Sequence, residues 1–174
     1  MPPPTPIPAG QPVLGGCACG AVRYQCNVPD ATKVSVGICH CRQCQRQAGS
    51  YVLPLFQLPL SQFVVTKGVI KQYRSSAVAN RGFCGGCGSP LTFQYDGVQH
   101  ISVVVGSVDG GDGVLPAPRS ACGSESISPW FELLHTLPSK HSDVVTFKAR
   151  RGPRTLCPWL RYVIALTSSP GPLV

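Results

Sequence analysis

The cysteines constrain the fold of this chain most, because seven of its ten cysteines lie in three short clusters. Cysteines separated by one or two residues are poor disulfide partners, whereas their sulfurs can converge on one metal ion at about 2.3 Å. Soft thiolates select zinc or iron over magnesium or calcium. We therefore interpret the clusters as metal ligands. They are Cys17-Ala18-Cys19, Cys39-His40-Cys41-Arg42-Gln43-Cys44 and Cys84-Gly85-Gly86-Cys87.

Seven thiolates divide into four and three, and this division predicts two different zinc sites. Four thiolates would close a tetrahedral structural site that joins the start of the domain to its middle. Three thiolates would leave a position for water or substrate, as catalytic zinc sites do. The four-cysteine cluster comprises Cys17, Cys19, Cys84 and Cys87, and the three-cysteine cluster comprises Cys39, Cys41 and Cys44.

The open site has an alternative interpretation, in which a further ligand closes it and makes it structural. Cys26, Cys122, His40 or a distant histidine could supply that ligand. His40 lies between two ligands, so we expect it to stand behind them or at the surface. Cys26, Cys122 and Cys157 are isolated in the sequence, and isolated cysteines are typically small buried apolar residues.

The segments between the clusters favour a small, mainly antiparallel all-β domain with short helical turns. Residues 91–95 and 98–105 flank Asp96-Gly97, which predicts a two-residue hairpin turn. A short helix is predicted over residues 42–48, and a single helical turn over Leu133 to Leu137. The other predicted strands are residues 21–26, 33–38, 51–56, 63–65 and 69–73.

Length and charge suggest one zinc-binding domain with two extensions. The chain has 174 residues and a net charge of +8, of which residues 148–174 supply +5. We predict a Pro-rich disordered arm over residues 1–13, the zinc-binding domain over residues 14–147, and a basic disordered tail over residues 148–174.

The sequence also limits where in the cell we expect the protein and which partners we expect it to bind. No apolar run reaches the roughly 18 residues of a membrane span, and the start lacks the features of a secretory signal. We therefore expect a cytoplasmic protein without a membrane partner. Without the tail the charge balance is only +3, so nucleic-acid binding is expected, if at all, through the tail.

The clusters and their flanking residues resemble the glutathione-dependent formaldehyde-activating enzyme family, which includes centromere protein V. The resemblance covers roughly residues 14–138, because Pro129-Trp130-Phe131-Glu132 and Leu137-Pro138 resemble the family's closing segment. The motifs that carry it are Gly15-Gly16-Cys17-Ala18-Cys19-Gly20-Ala21-Val22-Arg23-Tyr24, Cys39-His40-Cys41-Arg42-Gln43-Cys44-Gln45-Arg46 and Gly82-Phe83-Cys84-Gly85-Gly86-Cys87-Gly88-Ser89-Pro90-Leu91.

The resemblance implies an Mss4-like β fold with two zinc ions per chain. It implies that the four-cysteine cluster holds the structural ion and the three-cysteine cluster the catalytic one. The implied activity is that of a carbon–sulfur lyase or synthase on glutathione adducts such as S-hydroxymethylglutathione, so the expected partner is a small thiol adduct.

Glutathione carries two carboxylates, so its site needs cations or hydrogen-bond donors nearby. Arg42 and Arg46 flank the three-cysteine cluster, and Arg23 follows the first cysteine pair. Each of these arginines could make a bidentate carboxylate contact. Gln43 and Gln45 could add hydrogen bonds.

The sequence departs from the family at two places. Where the family usually has a His-aromatic-Val segment, this chain has Ala121-Cys122-Gly123-Ser124-Glu125, and the tail from about Arg150 matches nothing in the family.

Two functions other than the enzymatic one are also considered for this chain. One is a non-catalytic zinc β module for chromatin or protein binding, and the other is a structural domain with both sites closed. The oligomeric state is not predicted.

Overall fold

The computed structural model describes residues 10–110 and 114–128, which contain ten β-strands and one α-helix. The strands are Val13–Gly16 (β1), Arg23–Cys26 (β2), Val36–Cys39 (β3), Leu53–Pro59 (β4), Phe63–Lys67 (β5), Ile70–Ser76 (β6), Ala79–Cys84 (β7), Pro90–Tyr95 (β8), His100–Val104 (β9) and Ser120–Cys122 (β10). The helix is Arg42–Ala48 (α1).

The strands form two sheets. One has three strands in the order β1-β2-β5, and the other has seven strands in the order β10-β3-β4-β9-β8-β7-β6. Neighbouring strands are antiparallel except β10, which runs parallel to β3. The predicted all-β class is therefore confirmed, as is the helix over residues 42–48.

The hairpin between β8 and β9 differs from its prediction. Pairing of Thr92 with Val103 and of Phe93 with Ser102 leaves residues 96–99 as a four-residue loop, so the two-residue turn is wrong. We attribute the longer loop to Asp96, whose side chain is hydrogen-bonded to residues of β6 and β7. Its carboxylate accepts hydrogen bonds from Arg74 at 2.9 Å and from Asn80 at 3.1 Å.

One apolar core joins the two sheets. Its fully buried members include Tyr24 of the three-stranded sheet and Phe56 of the seven-stranded sheet. The Tyr24 ring lies 5.1 Å from that of Phe63, and its hydroxyl hydrogen-bonds the Ser107 hydroxyl at 2.7 Å. A buried tyrosine hydroxyl needs such a partner. The hairpin β1–β2 is thereby fastened to the segment after β9.

A smaller apolar cluster lies beneath the helix. It contains Cys44 of α1, Leu53 of β4 and Val104 of β9, and Cys39 and Cys41 pack against it. Since α1 connects β3 to β4, and these strands are paired, both ends of the cysteine-bearing segment are fixed by the sheet. The helix ends at Gly49, whose φ of 62° is the left-handed conformation that suits a helix C-terminus.

Several predictions fall on residues outside the described part of the chain. These are the tail over residues 148–174, the end of the predicted domain over residues 129–147 with its helical turn from Leu133 to Leu137, and most of the arm over residues 1–13. Among the residues that are described, no helix has the length and apolar character needed to cross a membrane.

We predict that replacing Phe56 by alanine destabilises the whole domain. Phe56 is fully buried between its partners Val36 and Val103 on the flanking strands. The variant should lose about 3–5 kcal/mol of unfolding free energy, measured by urea denaturation of the zinc-loaded protein. Tyr73, which is 60% exposed, is the matched control, and Tyr73→Ala should change that free energy by at most about 0.5 kcal/mol. Equal losses would contradict the assignment of the core.

Candidate metal centre

The four-cysteine cluster is built from two tight turns at the ends of two hairpins. Cys17 follows β1, and the Gly20 N–H donates to its carbonyl at 3.0 Å. Cys84 ends β7, and the Gly88 N–H donates to its carbonyl at 2.9 Å. Both glycines have positive φ, 72° and 76°, a conformation that costs glycine no steric strain. The two turns therefore present their cysteines in similar ways.

The four sulfurs of this cluster all lie within 4.8 Å of one another. The Cys17 and Cys19 sulfurs are 3.5 Å apart, and those of Cys19 and Cys84 are 3.8 Å apart. Sulfurs that share one tetrahedral zinc ion at about 2.3 Å lie about 3.8 Å from each other. The spacing thus fits a single zinc ion bound by all four thiolates.

Backbone and hydroxyl groups around the cluster are arranged to stabilise thiolates. The Val22 N–H donates to the Cys17 sulfur at 3.2 Å, and the Gly86 N–H lies 3.4 Å from the Cys84 sulfur. The Ser89 hydroxyl, 3.1 Å from the Cys87 sulfur, and nearby backbone N–H groups lower the pKa of Cys87 to about 5. Hydrogen bonds to the charged form of a group favour that form.

The three-cysteine cluster lies where β3 passes into α1. Its sulfurs also lie within 4.8 Å of one another, and those of Cys39 and Cys41 are 3.4 Å apart. Burial raises the pKa of Cys41, but hydrogen bonds from the Cys44 and Gln43 N–H groups and from neighbouring thiols outweigh it, so that the pKa is lowered. The donor set, all soft sulfur, fits a zinc ion.

A buried arginine, which the sequence analysis missed, stands against this cluster. Arg81 on β7 is only 4% exposed, and its two terminal nitrogens lie 3.5 and 3.4 Å from the Cys44 sulfur. The guanidinium also donates to the Gln47 side chain at 2.5 Å and lies 4.8 Å from the centre of the Phe93 ring. No acidic residue among those described pairs with it.

The pairing of Arg81 with Cys44 has an electrostatic consequence. Burial raises the pKa of Cys44 to about 12, and the hydrogen bonds from Arg81 oppose that rise. A buried guanidinium is costly unless a negative charge compensates it. Cys44 is the sulfur that supplies this charge when it is a thiolate. The residues around Arg81 in the sequence do not indicate this role. Its position follows from the pairing of β7 with β8, which sets Arg81 opposite Phe93.

The three-cysteine cluster opens onto a cavity of about 360 Å³. Small-molecule sites usually measure about 300–1,000 Å³. Among the described lining residues Arg81 is the one charged side chain, and Phe93 and Tyr95 supply aromatic surface. The polar lining side chains are Ser35, Gln43, Gln57, Ser76, Ser102 and Ser120.

The three arginines singled out in the sequence do not line this cavity. Arg23 lies on β2 and forms an ion pair with Asp109. Arg42 and Arg46 are exposed on α1, and Arg42 donates to the Gln45 side chain at 2.5 Å. Of the two glutamines, Gln43 lines the cavity.

Gln45 is instead buried against the backbone. Its side-chain amide donates to the carbonyl of His40 at 2.8 Å and to that of Ser126 at 2.9 Å. It therefore holds the segment after β10 against the cysteine-bearing segment.

The remaining cysteines and His40 divide between confirmed and corrected predictions. Cys26 is fully buried, as expected, and burial raises its pKa to about 12. Cys122 was expected to be buried too, and this is wrong: it is exposed and lines the cavity beside the three-cysteine cluster. The parallel pairing of β10 with β3 brings it there. His40 was expected either behind the ligands or at the surface, and its burial excludes the surface position. Cys157 lies outside the described residues.

Comparison with known proteins identifies related sequences over the same region. The family model described as glutathione-dependent formaldehyde-activating enzyme matches residues 12–123, nearly two thirds of the chain. A crystal structure of a Rhodobacter sphaeroides protein is 23% identical, with a TM-score of 0.49, over 59% of this chain and 97% of that one. No curated protein matches the chain.

We predict that the protein retains two zinc ions per chain and that Cys84→Ser removes one of them. The variant should also unfold at a much lower temperature than the wild type, because the four-cysteine cluster joins hairpins of both sheets. Elemental analysis and thermal unfolding measure the two effects. Cys26→Ala, in which the altered cysteine belongs to neither cluster, should keep both ions. Loss of zinc from Cys26→Ala, or none from Cys84→Ser, would refute the ligand assignment.

Arg81→Met should weaken zinc binding at the three-cysteine cluster by about 10–100-fold, the usual effect of removing a group that supports a metal ligand. The physical reason is the loss of the positive charge that compensates the Cys44 thiolate. Competition with a chromogenic chelator measures the affinity. Arg74→Met is the matched control, because Arg74 forms an exposed pair with Asp96. If both variants retain zinc equally, Arg81 has no part in the site.

Proposed function

Because the chain belongs to the glutathione-dependent formaldehyde-activating enzyme family, we propose that it is a zinc-dependent carbon–sulfur lyase or synthase acting on glutathione adducts. The adducts would be of the S-hydroxymethylglutathione type. The observation that carries the proposal is the convergence of three cysteine sulfurs on the wall of a cavity. The reaction would take place there, while the four-cysteine cluster would have a structural role.

The cavity suits a flexible, peptide-like thiol. Its hydroxyl and amide side chains can hydrogen-bond the peptide groups of glutathione, and Phe93 and Tyr95 can cover the methylene groups. Arg81 is engaged with Cys44 and Gln47, so we assign it to the thiolates rather than to a glutathione carboxylate. Arg42, next to the lining residue Gln43, and Arg46 remain our candidates for the carboxylates.

The proposed reaction is the reversible addition of a thiol to an aldehyde. In the forward direction a sulfur–carbon bond forms, the carbonyl π bond breaks, and the aldehyde oxygen takes up the proton that the thiol loses. A zinc ion held by Cys39, Cys41 and Cys44 would supply Lewis acidity and lower the pKa of a thiol. The cavity walls would hold thiol and aldehyde together, which lowers the entropic part of the barrier.

Arg81 would serve the reaction through charge. Three thiolates and one zinc ion carry a net charge of −1, and an additional thiolate makes it more negative. The buried guanidinium beside Cys44 offsets one unit of that charge inside the protein. We therefore assign Arg81 as a positioning residue that keeps the thiolates ionised, and not as a group that contacts substrate.

The test is glutathione binding and exchange by the zinc-loaded protein. Calorimetry should detect binding of glutathione to the wild type and none to Cys41→Ser, which we expect to lose the zinc ion of the three-cysteine cluster. Exchange spectroscopy by NMR should show formaldehyde and glutathione interconverting with their adduct faster than they do without protein. This comparison is essential because the uncatalysed addition also proceeds.

The matched control for this experiment is Cys26→Ala, since Cys26 is buried and belongs to neither cluster. It should bind glutathione and catalyse exchange as the wild type does. If the zinc-loaded wild type neither binds glutathione nor accelerates exchange, the proposal is wrong. The rival prediction, a non-catalytic module for chromatin or protein binding, would then take its place.

A further inference from the structure

Cys122 has a position that the function proposed above does not use. It ends β10, and its residue pairs in register with Cys39 at the end of β3. The two residues are therefore neighbours across paired strands, and both line the cavity. Four cysteines, rather than three, therefore surround the same space.

The segment that carries Cys122 is held firmly against the three-cysteine cluster. The His40 N–H donates to the Cys122 carbonyl at 2.8 Å, and the Arg119 N–H donates to the Val36 carbonyl at 2.9 Å. Gly123, with φ of 72°, approaches so closely that a Cβ atom there would lie 2.6 Å from the Cys41 nitrogen. Only glycine allows this approach, so the contact is built into the backbone.

The coordination number of zinc makes Cys122 a candidate ligand. Zinc in proteins is usually four-coordinate, and three thiolates leave one place vacant. Among the described residues, Cys122 is the one further cysteine that lines this cavity; its sulfur lies outside the 4.8 Å group of the other three, and its residue is paired with Cys39. Cys122 is exposed and lines the cavity, so its side chain can change between staggered χ1 rotamers without displacing a packed neighbour.

We propose that Cys122 is a displaceable fourth thiolate ligand of the zinc ion at the three-cysteine cluster. The site is closed by four cysteines at rest, and an entering thiol takes the place of Cys122. The entering thiol gives up its proton as Cys122 takes one up, so the exchange balances in protons and charge. The displacement of Cys122 by a thiol substrate rests on the function proposed above. The proposal that Cys122 is a zinc ligand in the absence of substrate does not.

A first experiment measures alkylation of each cysteine by iodoacetamide, read by mass spectrometry, in the zinc-loaded and the metal-free full chain. Cys122 is exposed, so without a metal bond it should react freely. As a ligand it should react at least about tenfold more slowly when zinc is bound, because coordination removes the free thiolate. If Cys122 reacts equally in both forms while Cys39, Cys41 and Cys44 are protected, the proposal is overturned.

A second experiment uses Cys122→Ser, with Cys26→Ala as the control. We expect chelator competition to show zinc bound about tenfold more weakly at one site of Cys122→Ser, and the cobalt-substituted variant to lose part of its thiolate charge-transfer absorption. Unchanged affinity together with unchanged absorption would overturn the proposal. These readings do not depend on catalysis, so they decide the ligand set by themselves.

Glutathione then separates this inference from the proposed function. Zinc-loaded Cys122→Ser should bind glutathione more tightly than the wild type, because no internal thiolate competes for the position. Tighter or equal binding by the wild type would overturn displacement by substrate. Failure of both proteins to bind glutathione would refute the proposed function, and the alkylation result would still decide whether Cys122 is a ligand.

Discussion

The convergence of cysteine sulfurs is the interaction on which the rest of the structure depends. The four-cysteine cluster lies between the hairpin β1–β2 and the hairpin β7–β8, and two of its members, Cys19 and Cys87, are exposed. Apolar burial therefore covers only part of these turns, and thiolates left without a cation would repel each other. A bound zinc ion would supply attraction between them, and its binding free energy would contribute to the free energy of folding.

The same constraint shapes the surroundings of the three-cysteine cluster. Arg81 is buried without an acidic partner among the described residues, and its place makes physical sense only beside a negatively charged sulfur. Gly123 lets the backbone after β10 pack closely against Cys41. Charge compensation and close backbone packing thus both help to position the three sulfurs at the cavity wall.

Sequence patterns predicted much of the fold but not the strands that complete the site. The segments around β2 to β6 and the helix α1 carry clear local signals, and the structure has elements there. β7 contains Gly82, and β10 spans only Ser120–Cys122, so neither has a local pattern that indicates a strand. Both form because a neighbouring strand offers unpaired backbone groups. For that reason no local pattern indicates Arg81, and the sequence offers Cys122 only as one of several possible further ligands.

The sequence by itself determined the grouping of the seven cysteines, because chelate spacing is a local property that the chain carries whatever its fold. It also determined the all-β class through residue type and alternation. Only the tertiary structure decided that Arg81 faces Cys44 and that Cys122 stands beside Cys39, at sequence separations of 37 and 83 residues. Such contacts follow from strand order and register, which depend on the packing of the whole sheet and not on any single segment.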